Sequence, residues 1–519
     1  MSSNSATIIQ ELRKEFESML HYVQHSEGET AYNVEWSIFK YVLQFGRGLL
    51  LLFFIEQAKR NPLTELKMES GEILPYHSWK KRTYFSIFGK APVWRPYFYK
   101  QGVGSAYPLD ERLSLGKDSY SDMVRELAEH VGVNSAYEKV TELFHYLLRL
   151  SLGKNAVQLM VAKDAEDVEA YYEQKAAPEA SEEGSILVVQ ADGKGVPLVK
   201  SNEATHKVRL GKGEKRSKKK EAVVTSVYTI EPNPRQPETV VASLFRQETA
   251  ETQEGKPSEW HKPQHKEVWA TLEGKDAALT RLASRVGKRE GEHIKVRVAL
   301  TDGAEALQKR VLQHFPDFTL ILDFIHANEY LWDAGNRLYQ EQDPQRQAWV
   351  EKRTLALLSG RTAQVIADLR NLAQAPGIKQ AQQEQLHKTA NYFERNSDYM
   401  HYDDYLRKGW PVASGVIEGA CRHLVKDRFE LTGMRWTQAG AESLLRLRAV
   451  AENDDWEDYH AFRRAQSHLR LYAAPSSRQQ SLEHEALDSA TPLDRHAFSF
   501  GTATRDQHQP VTAERISAA

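Results

Sequence analysis

Cysteine occurs once in 519 residues, at Cys421. A single thiol excludes an intramolecular disulfide and any zinc site built from several cysteines, and it suits a reducing compartment. The commonest role for such a residue is that of a small buried hydrophobe. Long apolar runs are also missing. The stretch LLLLFFI, Leu49 to Ile55, is seven residues long and follows Arg47, against the roughly 20 that a bilayer requires. It reads as a buried helix, and no membrane partner is expected. The first residues lack the basic, apolar and small-residue order of an export signal, which points to the cytoplasm. Net charge is nearly absent too, at -2 from 69 Lys and Arg against 71 Asp and Glu. With 41% hydrophobic residues, the composition is that of an ordinary soluble chain with room for two to four domains.

The near-zero balance hides segregation. From Asp164 to Glu183 there are eight acids against one lysine, and from Lys207 to Lys220 eight bases against Glu214. A block such as KVRLGKGEKRSKKK suits a loop that faces a polyanion, with Lys215, Arg216, Lys218, Lys219 and Lys220 as DNA contacts. A solvated turn has the same composition.

Residues 1 to about 65 read as helical, and TYFSIFGKAPVWRPYFY (Thr83 to Tyr99) alternates as a small sheet does. Tyr120 to Lys163 then reads as three short helices punctuated at Gly132 and at Ser151 to Gly153. That spacing suits a helix-turn-helix whose third helix offers Lys154, Asn155, Gln158 and Lys163 to a DNA groove. Any small helical bundle produces the same pattern. Further on, strands are expected at Ile186 to Ala191, Val196 to Lys200 and Ala222 to Ile230, with a turn at Gly193 to Gly195. A helix from about Val268 to Val286 follows, then a strand at Ile294 to Leu300, a helix from Glu305 to about His314 and a strand at Phe318 to Asp323. The order β-β-β-α-β-α-β-α predicts a mixed sheet covered by helices. From Ala327 to about Leu406 the chain is helix-compatible.

Two strands end on bare carboxylates, Asp192 in VVQADGKG and Asp302 in VALTDGAEAL. Sites in open α/β sheets form beyond the carboxyl ends of strands. Two acids held close repel unless a cation neutralises them, and hard oxygen donors favour Mg²⁺ or Mn²⁺. Taken singly, each aspartate also fits a turn-capping role. In VIEGACRHLVKDRF, Glu418 opens a helix on which Arg422 and Lys426 follow at i+4 and i+8. That face presents a third carboxylate and two phosphate contacts, or an ordinary surface ion pair.

These motifs, with LDFIHANEYLW and TGMRWTQAGAESLLRLRAV, resemble the transposases of bacterial ISKra-type insertion sequences, which are similar in turn to Mutator-like DDE enzymes. The likeness spans roughly Tyr84 to Tyr459. It implies an α/β mixed-sheet, ribonuclease-H-like catalytic core with an all-α insertion, preceded by a mainly α N-terminal DNA-binding region. The segments expected are a helical region at 1–82, a small sheet with the helix-turn-helix-like region at 83–175, and core at 185–333 and 409–470 around an insertion at 334–408. A disordered tail is expected at 475–519. The resemblance carries the DDE triad, ligands of two Mg²⁺ or Mn²⁺ ions, onto Asp192, Asp302 and Glu418. It also matches Asp323 and His326 to the family's acid, two residues, histidine pattern. Many relatives carry a cysteine pair in the segment equivalent to Tyr97 to Leu113; this chain has none there, so no zinc is expected.

The implied activity is strand cleavage and strand transfer at element ends, with terminal inverted repeats and target DNA as partners, a homo-oligomer in the active complex and a cytoplasmic, nucleoid-associated location. Asp192 is the candidate bridging ligand, and His326 a contact to the scissile phosphate or a histidine packed at a helix start. Arg435 and Trp436 are candidates to engage DNA beside the cut, while a core role also suits the indole. Two other functions fit the same residues: a structure-specific nuclease, and a DNA-binding regulator with a silent catalytic core.

Overall fold

The computed structural model describes residues 2–60, 64–68, 71–199, 219–246 and 262–473. Lys215, Arg216, Lys218 and the segment 475–519 lie outside the described residues. The chain forms two compact units, one of Met1–Glu129, Tyr137–Val157 and Ala461–Ala519, the other of His130–Ala136 and Gln158–His460.

The first unit begins with two long helices, α1 (Ser2–Gln24) and α2 (Ala31–Lys59). Thr30 caps α2 by accepting from the Asn33 N–H, which satisfies one of the four unpaired donors at the helix start. The LLLLFFI run lies inside this helix, which as a whole is long and apolar enough, by length and composition, to cross a membrane. Seven residues therefore understated it. Within α2, however, Leu51, Phe54, Ile55 and Ala58 are buried, split between a core with Ile8 and Leu12 of α1 and a core with Trp79, Val93 and Leu109. The latter core belongs to an antiparallel sheet in the order β1 (Glu65–Lys67), β2 (Ile73–Ser86), β3 (Gly89–Lys100) and β4 (Gly104–Ala106). Short helix α3 (Pro108–Arg112) follows, then α4 (Asp122–Gly132), α5 (Tyr137–Leu148) and α6 (Lys154–Asp164) at the places the glycine punctuation predicted.

The second unit continues with α7 (Val168–Gln174), β5 (Ile186–Val196), β6 (Lys220–Ile230), α8 (Pro237–Leu244), β7 (Gln264–Thr271), α9 (Lys275–Arg289), β8 (Val296–Thr301), α10 (Glu305–His314) and β9 (Thr319–Leu322). The strands form one sheet in the order β7-β6-β5-β8-β9. Here β5 pairs antiparallel with β6 and parallel with β8, β6 pairs antiparallel with β7, and β8 pairs parallel with β9. Alternation along the strands divides the side chains between two cores. Ile186, Val188, Val298 and Leu300 pack with helices α11 (Phe324–Leu338), α12 (Pro344–Leu358), α13 (Thr362–Ala373), α14 (Gln380–Asn396) and α15 (Tyr402–Arg407). Leu187, Val189, Ala191 and Ala299 pack with α9 and α10 on the other face.

Several expectations about this sheet are corrected. The glycines at 193 and 195 do not turn the chain, because β5 runs on to Val196 in register with β6. They serve closeness: a Cβ at Gly193 would meet the Glu221 carboxylate at 2.3 Å, and one at Gly195 the Lys219 side chain at 2.9 Å. Of the expected strand at Val196–Lys200, Val196 ends β5, Leu198 only bridges to Trp436, and Lys200 lies outside the described residues. The helix expected from Val268 is instead β7, with the helix starting at Lys275. Val268, Trp269 and Thr271 are β-branched or aromatic and pair with β6, and that pairing decides for strand where the local pattern fits either. The expected β-β-β-α-β-α-β-α order is also changed: α8 stands between β6 and β7, so the observed order from β5 is β-β-α-β-α-β-α-β-α, a mixed sheet covered by helices all the same.

Beyond α15, α16 (Gly415–Ala420) passes into a π-helical turn at Cys421–Lys426, and α17 (Gln438–Glu452) and α18 (Trp456–His468) follow. The π turn departs from the regular helix expected after Glu418. Even so, Glu418, Arg422 and Lys426 stay exposed while Ile417, Cys421, Leu424 and Val425 are buried. Buried Arg428 and Arg448 donate to the carbonyls of Gly132 and Val133, which ties the turn between α4 and α5 to this unit.

Candidate active site

Gln190 pairs across β5 and β8 with Leu300. Asp192 and Asp302 each lie two residues further, so they stand at about the same level, Asp192 still within β5 and Asp302 one residue past the end of β8. Thr301 pairs with Leu322 across β8 and β9, which brings Asp323 to that level as well. Three carboxylates therefore line one edge of the sheet.

Each is held by backbone donors. Asp192 Oδ1 accepts from the Gly193 N–H at 2.6 Å, and its Oδ2 faces the Cys421 thiol at 3.2 Å. Asp302 Oδ1 accepts from the Ala304 N–H at 2.9 Å. The next residue, Gly303, has φ +83, and a Cβ there would meet the Tyr392 hydroxyl at 2.7 Å; only glycine fits this turn. From the helical insertion, Tyr392 donates to the Asp302 carbonyl and Arg395 to the Gly303 carbonyl. Asp323 is fully buried and caps α11, accepting from the N–H groups of Ile325 and His326. Its Oδ1 also accepts from the Ser414 N–H at 3.0 Å, and its Oδ2 lies 2.6 Å from His326 Nδ1. With both oxygens so engaged, Asp323 orients its neighbours.

Glu418 reaches this edge from α16. A ligand atom from each of Asp323, His326 and Glu418 lies within 4.8 Å of the others. Partial burial, then Asp323, Glu329 and Asp192, raise the Glu418 carboxyl above its ordinary value, while His326 opposes them. The hydrogen bond that the His326 ring donates to the Asp323 carboxylate raises the imidazole to about 9. Burial and the neighbouring Asp192 raise the Cys421 thiol. A Glu418 carboxyl raised by burial and by neighbouring acids is short of positive charge, and an oxygen-rich donor set of this kind fits a hard divalent cation.

Sequence reasoning missed Gln190. It is 1% exposed, and its Oε1 accepts from the Ile417 N–H at 2.9 Å and from the Ser226 hydroxyl at 3.2 Å, while its Nε2 donates to the Tyr228 hydroxyl at 3.2 Å. One side chain thus fastens the first turn of the Glu418 helix to the strand that carries Asp192. The signal was a lone amide inside the apolar run ILVVQA. The contacts of Cys421, Tyr392 and Arg395 left no local signal.

The other expected residues divide. Lys154, Asn155, Gln158 and Lys163 are all exposed on α6, with Lys154 Nζ 3.3 Å from Glu138. Arg422 lies 3.6 Å from Asp427. Lys219 forms an ion pair with Glu430, and Lys220 opens β6. Arg435 is exposed. Trp436 is partly buried, 5.1 Å from the Phe429 ring with the Arg428 guanidinium 4.9 Å from its centroid, and its Nε1 donates to the Phe429 carbonyl. These contacts fit the core role better than an open stacking surface.

No protein-family model matches the chain, and no curated protein does. Among solved structures, the strand transfer complex of the Drosophila P element transposase matches over 69% of this chain and 85% of that one, at 10% identity and a TM-score of 0.23. At that level the likeness carries no argument about what this chain does.

Proposed function

We propose that the chain is a DDE-type transposase of a bacterial insertion sequence, cutting and rejoining DNA at a ribonuclease-H-like site. The observation that carries this reading is the placement of Asp192 and Asp302 at one level of adjacent parallel strands, with the Glu418 helix fastened to the same strand through Gln190. The strand order and the ISKra-type motifs support it. Bound Mg²⁺ or Mn²⁺ would activate the attacking hydroxyl and stabilise the leaving 3′-oxygen. Asp192, Asp302 and Glu418 would hold the ions. Asp323 fixes the His326 ring and, held near protonation by that carboxylate, the imidazole presents positive charge toward a scissile phosphate. The insertion steadies the Asp302 turn through Tyr392 and Arg395. Self-association belongs to the same reading; Phe16, Leu20, Val42, Leu49 and Phe53 leave large apolar side chains exposed on α1 and α2, a feature common at subunit contacts.

The test is Mg²⁺-dependent cleavage of duplex DNA carrying the ends of the flanking element. Asp192→Asn, Asp302→Asn and Glu418→Gln keep side-chain size but remove charge. Each is expected to lower cleavage by at least about a hundredfold, the upper range for losing a residue that only orients a metal ligand, with DNA binding kept. A variant that cleaves normally removes its residue from the site. Cleavage without preference for element ends would favour a structure-specific nuclease, and binding without cleavage a regulator.

A further inference from the structure

The first unit holds a groove of about 470 Å³ between α2, the β2–β3 turn and the end of α5. Its lining includes Lys40, Arg47, Lys90 and Arg149 and no acidic residue. The three exposed cations among them, Lys40, Lys90 and Arg149, face one concave surface and repel one another unless an anion joins them. The groove is also deliberately shaped. Phe88, at the tip of the β2–β3 hairpin, sits against α2 where a Cβ on Gly46 would come within 2.6 Å of its ring. Arg149 takes φ +51 just past α5, a conformation that glycine or asparagine adopts at lower cost.

We infer that this groove binds the phosphate backbone of duplex DNA, as a contact separate from the catalytic edge. The inference deepens the proposed function by naming a docking surface, and it rests on the chain acting on DNA. The aromatic side chains decide between backbone and base recognition. Trp36 lies in the wall with the Phe39 ring stacked at 5.7 Å and the Tyr146 ring at 5.6 Å, while Lys40 Nζ and the Arg149 guanidinium each lie 5.8 Å from its centroid. The indole is engaged in holding cations and does not offer a stacking face. Cations without a stacking platform select phosphate, and a row of phosphates can be met by Lys40, Lys90 and Arg149 together. Lys40, Lys90 and Arg149 are exposed, so all three can reach a rigid duplex.

The experiment measures binding of a fluorescently labelled duplex to the full chain across a salt series, in EDTA so that cleavage plays no part. In the triple variant Lys40→Gln, Lys90→Gln, Arg149→Gln, the slope of log affinity against log salt should flatten by up to about 2.7, at 0.9 per phosphate contact. The weakening should be equal for two unrelated sequences, since backbone contacts carry no sequence information. The charge-keeping triple Lys40→Arg, Lys90→Arg, Arg149→Lys should retain the slope, which separates lost contacts from a misfolded surface. An unchanged slope in the glutamine triple overturns the inference. So does an equal flattening when exposed Lys295, Lys352 and Lys379 are neutralised instead, because the effect is then one of bulk charge, and so does loss of the slope in the charge-keeping triple. A chain that binds duplex through this groove but never cleaves with Mg²⁺ would refute the proposed catalysis and leave the groove standing.

Discussion

Replacing Gln190 with leucine changes little in volume but removes the side-chain acceptor that joins β5 to the first turn of the Glu418 helix. The Ile417 N–H, which bonds Gln190 Oε1 at 2.9 Å, loses its acceptor in a buried setting, at about 1–3 kcal/mol. The hydroxyls of Ser226 and Tyr228, each 3.2 Å from the amide, lose a partner worth about 0.5–1.5 kcal/mol apiece. The sum is about 2–6 kcal/mol, and the new apolar contacts of leucine offset about 1 kcal/mol of it. Urea unfolding followed by tryptophan fluorescence should show the midpoint fall without a change in slope. Strand cleavage, measured where the variant remains folded, should fall further than stability accounts for. A displacement of Glu418 of about 1 Å suffices for a loss of roughly a hundredfold, and higher Mn²⁺ should restore part of it. An unchanged urea midpoint would refute the clamp. A lowered midpoint with unchanged cleavage and unchanged Mn²⁺ requirement would leave Gln190 a purely structural residue.

Two further outcomes are expected. His326, raised to about 9 by Asp323, should titrate near that value by NMR in EDTA and fall toward its ordinary 6.5 in Asp323→Asn. Because the folded value lies above the unfolded one, the stability this pair contributes is complete below about pH 6.5 and lost as pH rises through about 9; a pH-independent unfolding midpoint over that window would contradict it. Cys421 is buried, with its thiol raised by burial and by Asp192, so iodoacetamide should label it slowly in the native chain and readily in urea. Fast native labelling would mean that the thiol does not face the Asp192 carboxylate.

Much of the fold was legible because local patterns carry it. The apolar strands at 186, 296 and 319, the glycine breaks between α4, α5 and α6, and the helix at Glu305–His314 all appear where periodicity placed them. The aspartates at strand ends were visible for the same reason: a carboxylate after an apolar run is a local signal. What sequence could not decide was pairing. Gly193 and Gly195 signal a turn in isolation, yet they lie within a strand because β6 runs beside them and its side chains need the space. Val268 to Thr271 fits helix or strand, and the open edge of β6 settles the choice. The polar links between Gln190 and Ile417, and between Asp323 and Ser414, join residues 227 and 91 positions apart. Such contacts follow from chain topology and have no periodicity of their own. The sequence therefore determined which acids stand at strand ends, while only tertiary structure decided which of them meet, what holds them, and where positive charge gathers into a groove.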